Sequence, residues 1–386
     1  MRGMRAAAIL IAAFALSACV GARPDDGVCT GSPDQSASAY GASVASAMQQ
    51  KWGKTKPREH VSILVLSGGG AWGAYGAGFL NGWSGRAPTL GNPRPSFDVV
   101  TGVSTGAIIA TFAFIGPDYD STLAAAYRGR ASSDIFESRS YLSLPFWNSF
   151  NDPKPLERGL MQALSDAAIA RLAEAYAHRR SLWAGAVNFD SGHFTEFDLT
   201  SLAASLSAAE ARNAIKDRLM AASAIPGFFP PRFIGHCMYM DGGVRENLFI
   251  SQIGDAVKAT IGPHAERENS KVDIYAILNG NISPSPRQTG NTLVDIGIRG
   301  FELASDQIQL ASLREIFDYA KANGFHLYWT SAEDLVVHDG DKVVEGRCSA
   351  PSAMTDQFNA DFTACLFDKA KEKAETAPSP WRTDRP

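Results

Sequence analysis

Short apolar runs recur along the chain and are separated by glycine-rich turns or by long helical stretches. The runs are Val61–Leu66, Phe97–Thr101, Lys271–Asn279 and Phe325–Thr330. Continuous runs of this length are typical of strands that are buried on both faces. An apolar helix is predicted from Ala107, and a long one over Leu293–Asn323. Strands that alternate with helices predict an α/β fold of three layers, α/β/α, with a mainly parallel central sheet.

The N-terminal segment has the layout of an export signal. A basic start with Arg2 and Arg5 precedes an uncharged stretch, Ala6–Leu16, which is too short to span a bilayer. It ends in Leu16-Ser-Ala-Cys19, which resembles the lipobox of bacterial lipoproteins. Cleavage before Cys19 and acylation of its sulfur would anchor the protein on a membrane of the bacterial cell envelope, for which we expect the outer membrane. The alternative is a plain signal peptide with a coincidental cysteine.

Composition divides the chain into four segments. These are a signal peptide (1–18), a polar tether with a short helix near Ser43–Lys54 (19–59), a main domain (61–335) and a charged C-terminal extension (336–386). We expect a final helix at Asp361–Glu375 and a loose tail after it. Loss of Arg2 and Arg5 with the signal moves the net charge from −4 to −6, which argues against nucleic acid as a partner.

The cysteine spacing argues against zinc binding and is compatible with a disulfide. The chain has five cysteines, with no C-x-x-C pair and no cysteine and histidine cluster at zinc spacing. Apart from Cys19, the nearest pair is Cys348 and Cys365, which could bridge in an exported protein. The spacing by itself leaves the connectivity open.

A dense run of glycines follows the first predicted strand. Residues 67–78 read SGGGAWGAYGAG, and so many glycines leave converging backbone N–H groups that can bind an anion. The run contains G-x-G-x-x-G at Gly68, Gly70 and Gly73. A dinucleotide site needs an acidic residue at the end of the second strand, but Asp98 begins the next strand. The G-K-[ST] ending of a phosphate-binding loop is also missing.

The second predicted strand leads into the pattern G-x-S-x-G. Gly102 and Gly106 flank Ser104 between a strand and an apolar helix. A turn this tight strains the central residue, and the glycines let neighbouring backbones pass closely. The sequence therefore predicts a nucleophile elbow that presents the Ser104 hydroxyl.

Three motifs in this order resemble those of the patatin-like phospholipases. They are the glycine run, Gly102-Val-Ser-Thr-Gly106, and Tyr239-Met-Asp-Gly-Gly243. Three further segments resemble the family less specifically. Asp152–Leu156 leads into a predicted helix over Leu156–Ala177, and Trp183–Gly192 resembles a strand and turn of the family. Ala221–Pro231 resembles the end of the helix that precedes the family's catalytic acid. The likeness covers roughly residues 61–335 and implies a patatin-like hydrolase domain. Trp72 departs from it, because the family often carries Arg or Lys at that position.

The resemblance implies a lipid acyl hydrolase of phospholipase A or lysophospholipase type. Ser104 would be the nucleophile and Asp241 its base, in a dyad without histidine. The oxyanion hole would be framed by four residues of the glycine loop and the elbow, namely Gly68, Gly69, Gly70 and Thr105. The substrate would be a phospholipid or another acyl-ester lipid, and no metal or organic cofactor is implied.

Two other functions stay open at this point. A Ser-His-Asp esterase on small soluble esters would need a histidine after the acid, and His264, His326 and His338 all follow Asp241. His326 lies in an alternating strand, which favours a structural role, and the other two lie in polar loops. The third hypothesis is a catalytically silent lipoprotein of the envelope that only binds lipid.

Overall fold

The computed structural model describes residues 23, 29, 59–140, 147–261, 271–284, 288–337, 346–351 and 358–386. The predicted signal peptide, Cys19 and the short helix at Ser43–Lys54 lie outside these residues. His264 and His338 also lie outside them. Among the described helices, none is both long enough and apolar enough to cross a bilayer.

A central sheet of eight strands organises the described residues. Its strands are β1 (His60–Leu66), β2 (Val99–Val103), β5 (Ser181–Asn188), β6 (Phe194–Asp198), β7 (Arg232–Ile234), β8 (Cys237–Asp241), β9 (Lys271–Leu278) and β10 (His326–Ser331). The order is β10-β9-β1-β2-β5-β8-β7, with β6 paired to β5. The first five strands of this order run parallel, and β6 and β8 both run antiparallel to β5. Four short strands lie off the sheet, namely β3 (Glu137–Ser138) with β4 (Asn151–Asp152), and β11 (Val336–Val337) with β12 (Cys348–Ser349).

Helices cover both faces of this sheet. In chain order they are α1 (Gly73–Gly85), α2 (Thr105–Ile115), α3 (Asp120–Tyr127), α4 (Ser132–Ile135), α5 (Lys154–Ala163), α6 (Asp166–Ala177), α7 (Leu199–Ser205), α8 (Ala208–Ala222), α9 (Gly254–Ile261), α10 (Leu293–Asn323) and α11 (Ala360–Thr376). Side chains of a strand alternate between its two faces. Leu64 and Leu66 accordingly join the core with α1, α2 and α11, whereas Ile63 and Val65 join the core with α9 and α10. The predicted three-layer α/β fold with a mainly parallel sheet is confirmed.

Local pattern located several of the long elements to within a few residues. Helix α10 has the predicted bounds, and β9 and β10 lie within one residue of theirs. The helix predicted over Leu156–Ala177 is wrong as a single element, because it divides into α5 and α6. The break is at Ser165, whose hydroxyl oxygen accepts from the Ala168 N–H and caps the second helix.

The segment after residue 335 packs against the rest of the molecule. Helix α11 lies along α1 so closely that a Cβ at Gly78 would fall 2.2 Å from the Phe367 carbonyl oxygen. The loose tail expected after α11 is wrong, because Trp381 is buried among aromatic rings. Arg382 and Trp329 also exchange two backbone hydrogen bonds at the sheet edge.

Two disulfides join distant parts of the chain. Cys348 pairs with Cys365, which ties β12 to α11. Cys29 pairs with Cys237, so the segment before the domain is attached to the start of β8. The second pairing spans 208 residues.

Candidate active site

Ser104 occupies a sharp turn between β2 and α2. Its backbone has φ 54° and ψ −130°, an unusual conformation for a residue with a side chain. The strand before it and the helix after it both begin two residues from their predicted starts. Ser104 is buried, with 6% of its surface exposed, and its N–H donates to the Ala222 carbonyl over 3.1 Å.

Glycines make this turn possible because backbone passes where a side chain would lie. A Cβ at Gly102 would fall 2.3 Å from the Gly106 carbonyl oxygen. A Cβ at Gly106 would fall 2.4 Å from the carbonyl oxygen of Ser67 in the glycine run. The elbow and the glycine run are therefore in backbone contact.

Strand β5 brings Ser104 and Asp241 to the same place in the sheet. Strand β2 pairs with β5 as far as Val103, which lies opposite Gly185. Strand β8 pairs with the next residue of β5, Ala186, through Asp241. Both use the same edge of β5, because β6 occupies the other edge. The turn at Ser104 consequently lies beside Asp241.

The Asp241 carboxyl group is buried and only partly hydrogen-bonded. Its Oδ1 accepts from the Gly243 N–H over 2.8 Å. Its Oδ2 makes no hydrogen bond of ordinary geometry with the described residues, so the contact with the Ser104 hydroxyl is loose. Burial raises the pKa of Asp241 to about 6, and the hydroxyl of Ser104 and the N–H of Gly243 partly offset the rise. The group is thus ionised at neutral pH.

Three backbone N–H groups remain available next to Ser104. In the part of the chain that the structure describes, nothing accepts from the N–H of Gly69, Gly70 or Thr105. Gly69 and Gly70 have φ of 150° and 56°, which turns the loop sharply, and Thr105 is the first residue of α2. Free N–H groups at a helix start favour negative charge. Gly68 differs, because its N–H donates to Asn247 Oδ1 over 2.9 Å.

Two asparagines that the sequence reasoning missed hold the glycine run in place. Asn247 accepts from Gly68, and Asn279 accepts from the Gly76 N–H and donates to the Ser67 carbonyl oxygen. Asn279 follows the apolar run of β9, and a buried amide at a strand end is a signal that could have revealed it. Nothing local distinguishes Asn247.

A pocket opens beside Ser104 and encloses about 640 Å³ free of protein atoms, part of it open to solvent. Its side chains are mainly apolar and come from separate segments, namely Ile108, Ile135, Leu156, Ile225, Phe229 and Phe358. Ser223 and Thr363 add hydroxyl groups, and Arg130 is the charged member of the lining. Hydrocarbon can therefore lie directly next to the serine.

Trp72 has a packing role in place of the cation that its position often holds. Its ring meets that of Phe362 in α11 edge-on, with 5.4 Å between the ring centres. Phe362 is buried, and its neighbour Thr363 lines the pocket. The aromatic pair thus joins the glycine loop to the C-terminal helix.

His326 lies at the amino end of the edge strand β10, whereas Ser104 lies at the carboxyl end of the central strand β2. It begins β10, and its Nδ1 lies 3.0 Å from Asp273 Oδ1 near the start of β9. Ser104 follows the carboxyl end of β2, which is parallel to both strands. Among the residues that the structure describes, no histidine lines the pocket. His326 therefore cannot reach the serine.

One group of side chains has the composition of a metal site. Cys29, Asp190 and Cys237 lie close together, and within the described ranges no other cluster of this kind occurs. The two sulfur atoms are bonded to each other, so they are not thiolate ligands.

The comparison with protein families agrees with this fold. The family model for patatin-like phospholipase matches residues 64–253, a span that includes Ser104 and Asp241. The crystal structure of VipD from Legionella pneumophila is similar over 81% of this chain and 67% of that one, with 12% identity and a TM-score of 0.38. No curated protein matched. Residues 64–253 therefore form a domain of the patatin-like phospholipase type, and the members of this family are lipid acyl hydrolases.

Proposed function

We propose that the protein hydrolyses acyl esters of membrane lipids through a Ser104–Asp241 dyad and an acyl-enzyme. The observation that carries this proposal is that Val103, the residue before Ser104, and Asp241 lie opposite neighbouring residues of β5, which brings Ser104 beside Asp241. A serine hydroxyl needs a group that takes its proton. A carboxylate with a pKa of about 6 can take that proton at neutral pH.

In the first half-reaction, Ser104 Oγ attacks the ester carbonyl carbon while its proton passes to Asp241. The carbonyl oxygen becomes an oxyanion, and the N–H groups of Gly69, Gly70 and Thr105 are suited to bind it. Collapse of this intermediate breaks the bond to the alcohol oxygen, which leaves with the proton from Asp241. The acyl group then remains on Ser104.

Water completes the cycle in the second half-reaction. Asp241 takes a proton from water, and the hydroxide attacks the acyl carbon. The bond to Ser104 then breaks, and the serine recovers the proton from Asp241. The products are a fatty acid and the alcohol released earlier, and neither step requires an imidazole.

The pocket and the N-terminal sequence support the proposed substrate class. An apolar lining beside Ser104 suits an acyl chain, which favours a phospholipase A or lysophospholipase activity. Acylation of Cys19 would keep the enzyme on a lipid surface of the bacterial cell envelope, with the outer membrane as the expected location.

A fluorophosphonate probe and lipid analysis test this function together. Full-length protein is treated with the probe, and separate samples receive phosphatidylethanolamine vesicles, from which fatty acids and lysolipids are measured. We expect labelling and fatty acid release by the native protein and by His326→Gln, and neither by Ser104→Ala. A folded native protein that fails both assays would be the silent lipid-binding lipoprotein. Loss of labelling in folded His264→Gln or His338→Gln would instead establish a Ser-His-Asp esterase.

A further inference from the structure

Ser223 is a buried polar residue whose side chain makes no hydrogen bond with the described residues. It follows the last residue of α8, is 6% exposed, and lines the pocket that contains Ser104. Its hydroxyl has no hydrogen-bond partner among the described residues. An unpaired hydroxyl in a buried position costs stability, and alanine stands on either side of it in the chain. The Ser223 hydroxyl is therefore available to a ligand in the pocket.

The chain on either side of Ser223 holds the two members of the dyad. The Ala222 carbonyl oxygen accepts from the Ser104 N–H over 3.1 Å, and the Ala224 carbonyl oxygen accepts from the Asp241 N–H over 2.9 Å. Ser223 thus lies between the residue that binds the backbone of Ser104 and the residue that binds the backbone of Asp241. The free N–H groups at Gly69, Gly70 and Thr105 come from different segments, the glycine run and the start of α2.

On the basis of the function proposed above, we infer that the Ser223 hydroxyl binds the ester oxygen that leaves as alcohol and then the water oxygen that replaces it. Both oxygens exchange a proton with Asp241, and both occupy the same position because deacylation retraces acylation with water in place of the alcohol. A hydroxyl suits this position because it can donate to either oxygen and accept from either. Ser223 forms no covalent bond and keeps its own proton.

Ser223→Ala in the full-length protein tests this role with two probes. A p-nitrophenyl ester releases a phenolate that needs no proton, so its acylation should change by less than about twofold. Deacylation by water should slow about tenfold or more, the effect of losing one hydrogen bond in the transition state. The variant should therefore release one equivalent of nitrophenolate in a burst and then turn over slowly. A fluorophosphonate, which loses fluoride and needs neither alcohol nor water, should label Ser104 at the native rate.

Ser331→Ala is the matched control, because Ser331 is equally buried and its hydroxyl also lacks a partner within the described chain, but it lies outside the pocket lining. It should match the native protein in every assay. Ser223→Cys keeps a weak donor and should give an intermediate rate, and it replaces the alanine variant if that protein does not fold. Native turnover by Ser223→Ala would overturn the inference, as would parallel losses of turnover and labelling. A native protein that neither labels nor hydrolyses would refute the proposed function instead.

Discussion

The backbone N–H of Gly68 donates to the side-chain Oδ1 of Asn247, 179 residues further along the chain. Asn247 Nδ2 in turn donates to Gln309 Oε1 in α10 over 2.8 Å, and all three residues are inside the fold. The glycine loop is therefore held from the side of the sheet that carries α10. Its free N–H groups follow at Gly69 and Gly70, so their direction depends on this bond.

Asn247→Leu should disturb the oxyanion site without touching the dyad. The change keeps a similar side-chain volume but leaves the Gly68 N–H without an acceptor. The glycine loop can then change its orientation. We expect kcat for lipid hydrolysis to fall about 10- to 100-fold. Fluorophosphonate labelling should slow in parallel, since the same N–H groups stabilise its transition state. Gln309→Leu breaks the bond from Asn247 and the bond to the Asn281 carbonyl oxygen, but it leaves the Gly68 N–H paired and should have a smaller effect. Equal losses would show that the whole network acts as one unit.

Ser104→Ala and Asp241→Asn should each lower kcat by several orders of magnitude, because proton transfer joins the two groups in one step. The double variant should be scarcely worse than either single variant. Rates are compared by fatty acid release, with thermal melting as the check of folding. Near-normal turnover by Asp241→Asn would exclude this carboxylate as the base.

Activity should depend on pH through Asp241. Its pKa of about 6 means that the base is protonated and inactive below this pH, so kcat/KM should fall about tenfold per unit as pH decreases from 6. Above about pH 7 the profile should be flat. His326→Gln should leave the profile unchanged, because this histidine pairs with Asp273 at the far edge of the sheet. A midpoint near 4, typical of an exposed aspartate, would contradict the burial that we describe.

Glu196 should make the free energy of unfolding decrease as pH rises, whereas an acid in a salt bridge makes it increase. Both its oxygens are buried and unpaired among the described residues. Burial, with a contribution from the charge of Glu246, raises its pKa from 4.5 to about 8. Between these values the folded chain keeps a proton that the unfolded chain releases. The free energy of unfolding therefore falls as pH rises through this window and levels off above about 8.

Glu196→Gln should remove that dependence, because the amide resembles the neutral carboxyl group. Guanidinium unfolding at pH 5 and pH 9 compares the two proteins. The variant should be more stable by a few kcal/mol at pH 9, as one pKa unit corresponds to about 1.4 kcal/mol. The difference should be small at pH 5. Parallel pH profiles for both proteins would show that Glu196 does not titrate in this window.

Cys19→Ser should abolish incorporation of labelled palmitate and release the protein from membranes. The reason is that the sulfur of Cys19 is the only attachment point that the lipobox resemblance offers. Cys29→Ser serves as the control for a cysteine outside the lipobox: it also opens the disulfide with Cys237, but it should keep the label. Continued labelling of Cys19→Ser would contradict the lipobox interpretation.

The local pattern of apolar and polar residues was sufficient to predict strands and helices that are long and apolar. Helix α10 and strands β9 and β10 could be predicted because periodicity and flanking polar residues act within a few positions. The turn around Ser104 could be predicted for the same reason, since strand, glycines and helix are adjacent in the chain. The break at Ser165 was missed because a single cap residue competes weakly with a continuous helical pattern.

Only the tertiary structure decided which residues meet around Ser104. Asp241 lies beside it because β8 enters antiparallel on the edge of β5 where β2 ends, and a register between strands is not encoded in either strand alone. The same holds for Asn247 and for the Cys29–Cys237 pair, whose partners are far apart in the chain. The C-terminal tail shows most clearly what the sequence could not decide. The charged residues around it predicted a loose, solvent-exposed segment. In the structure Trp381 is buried against aromatic rings from other segments, and the burial of that ring outweighs the local polarity.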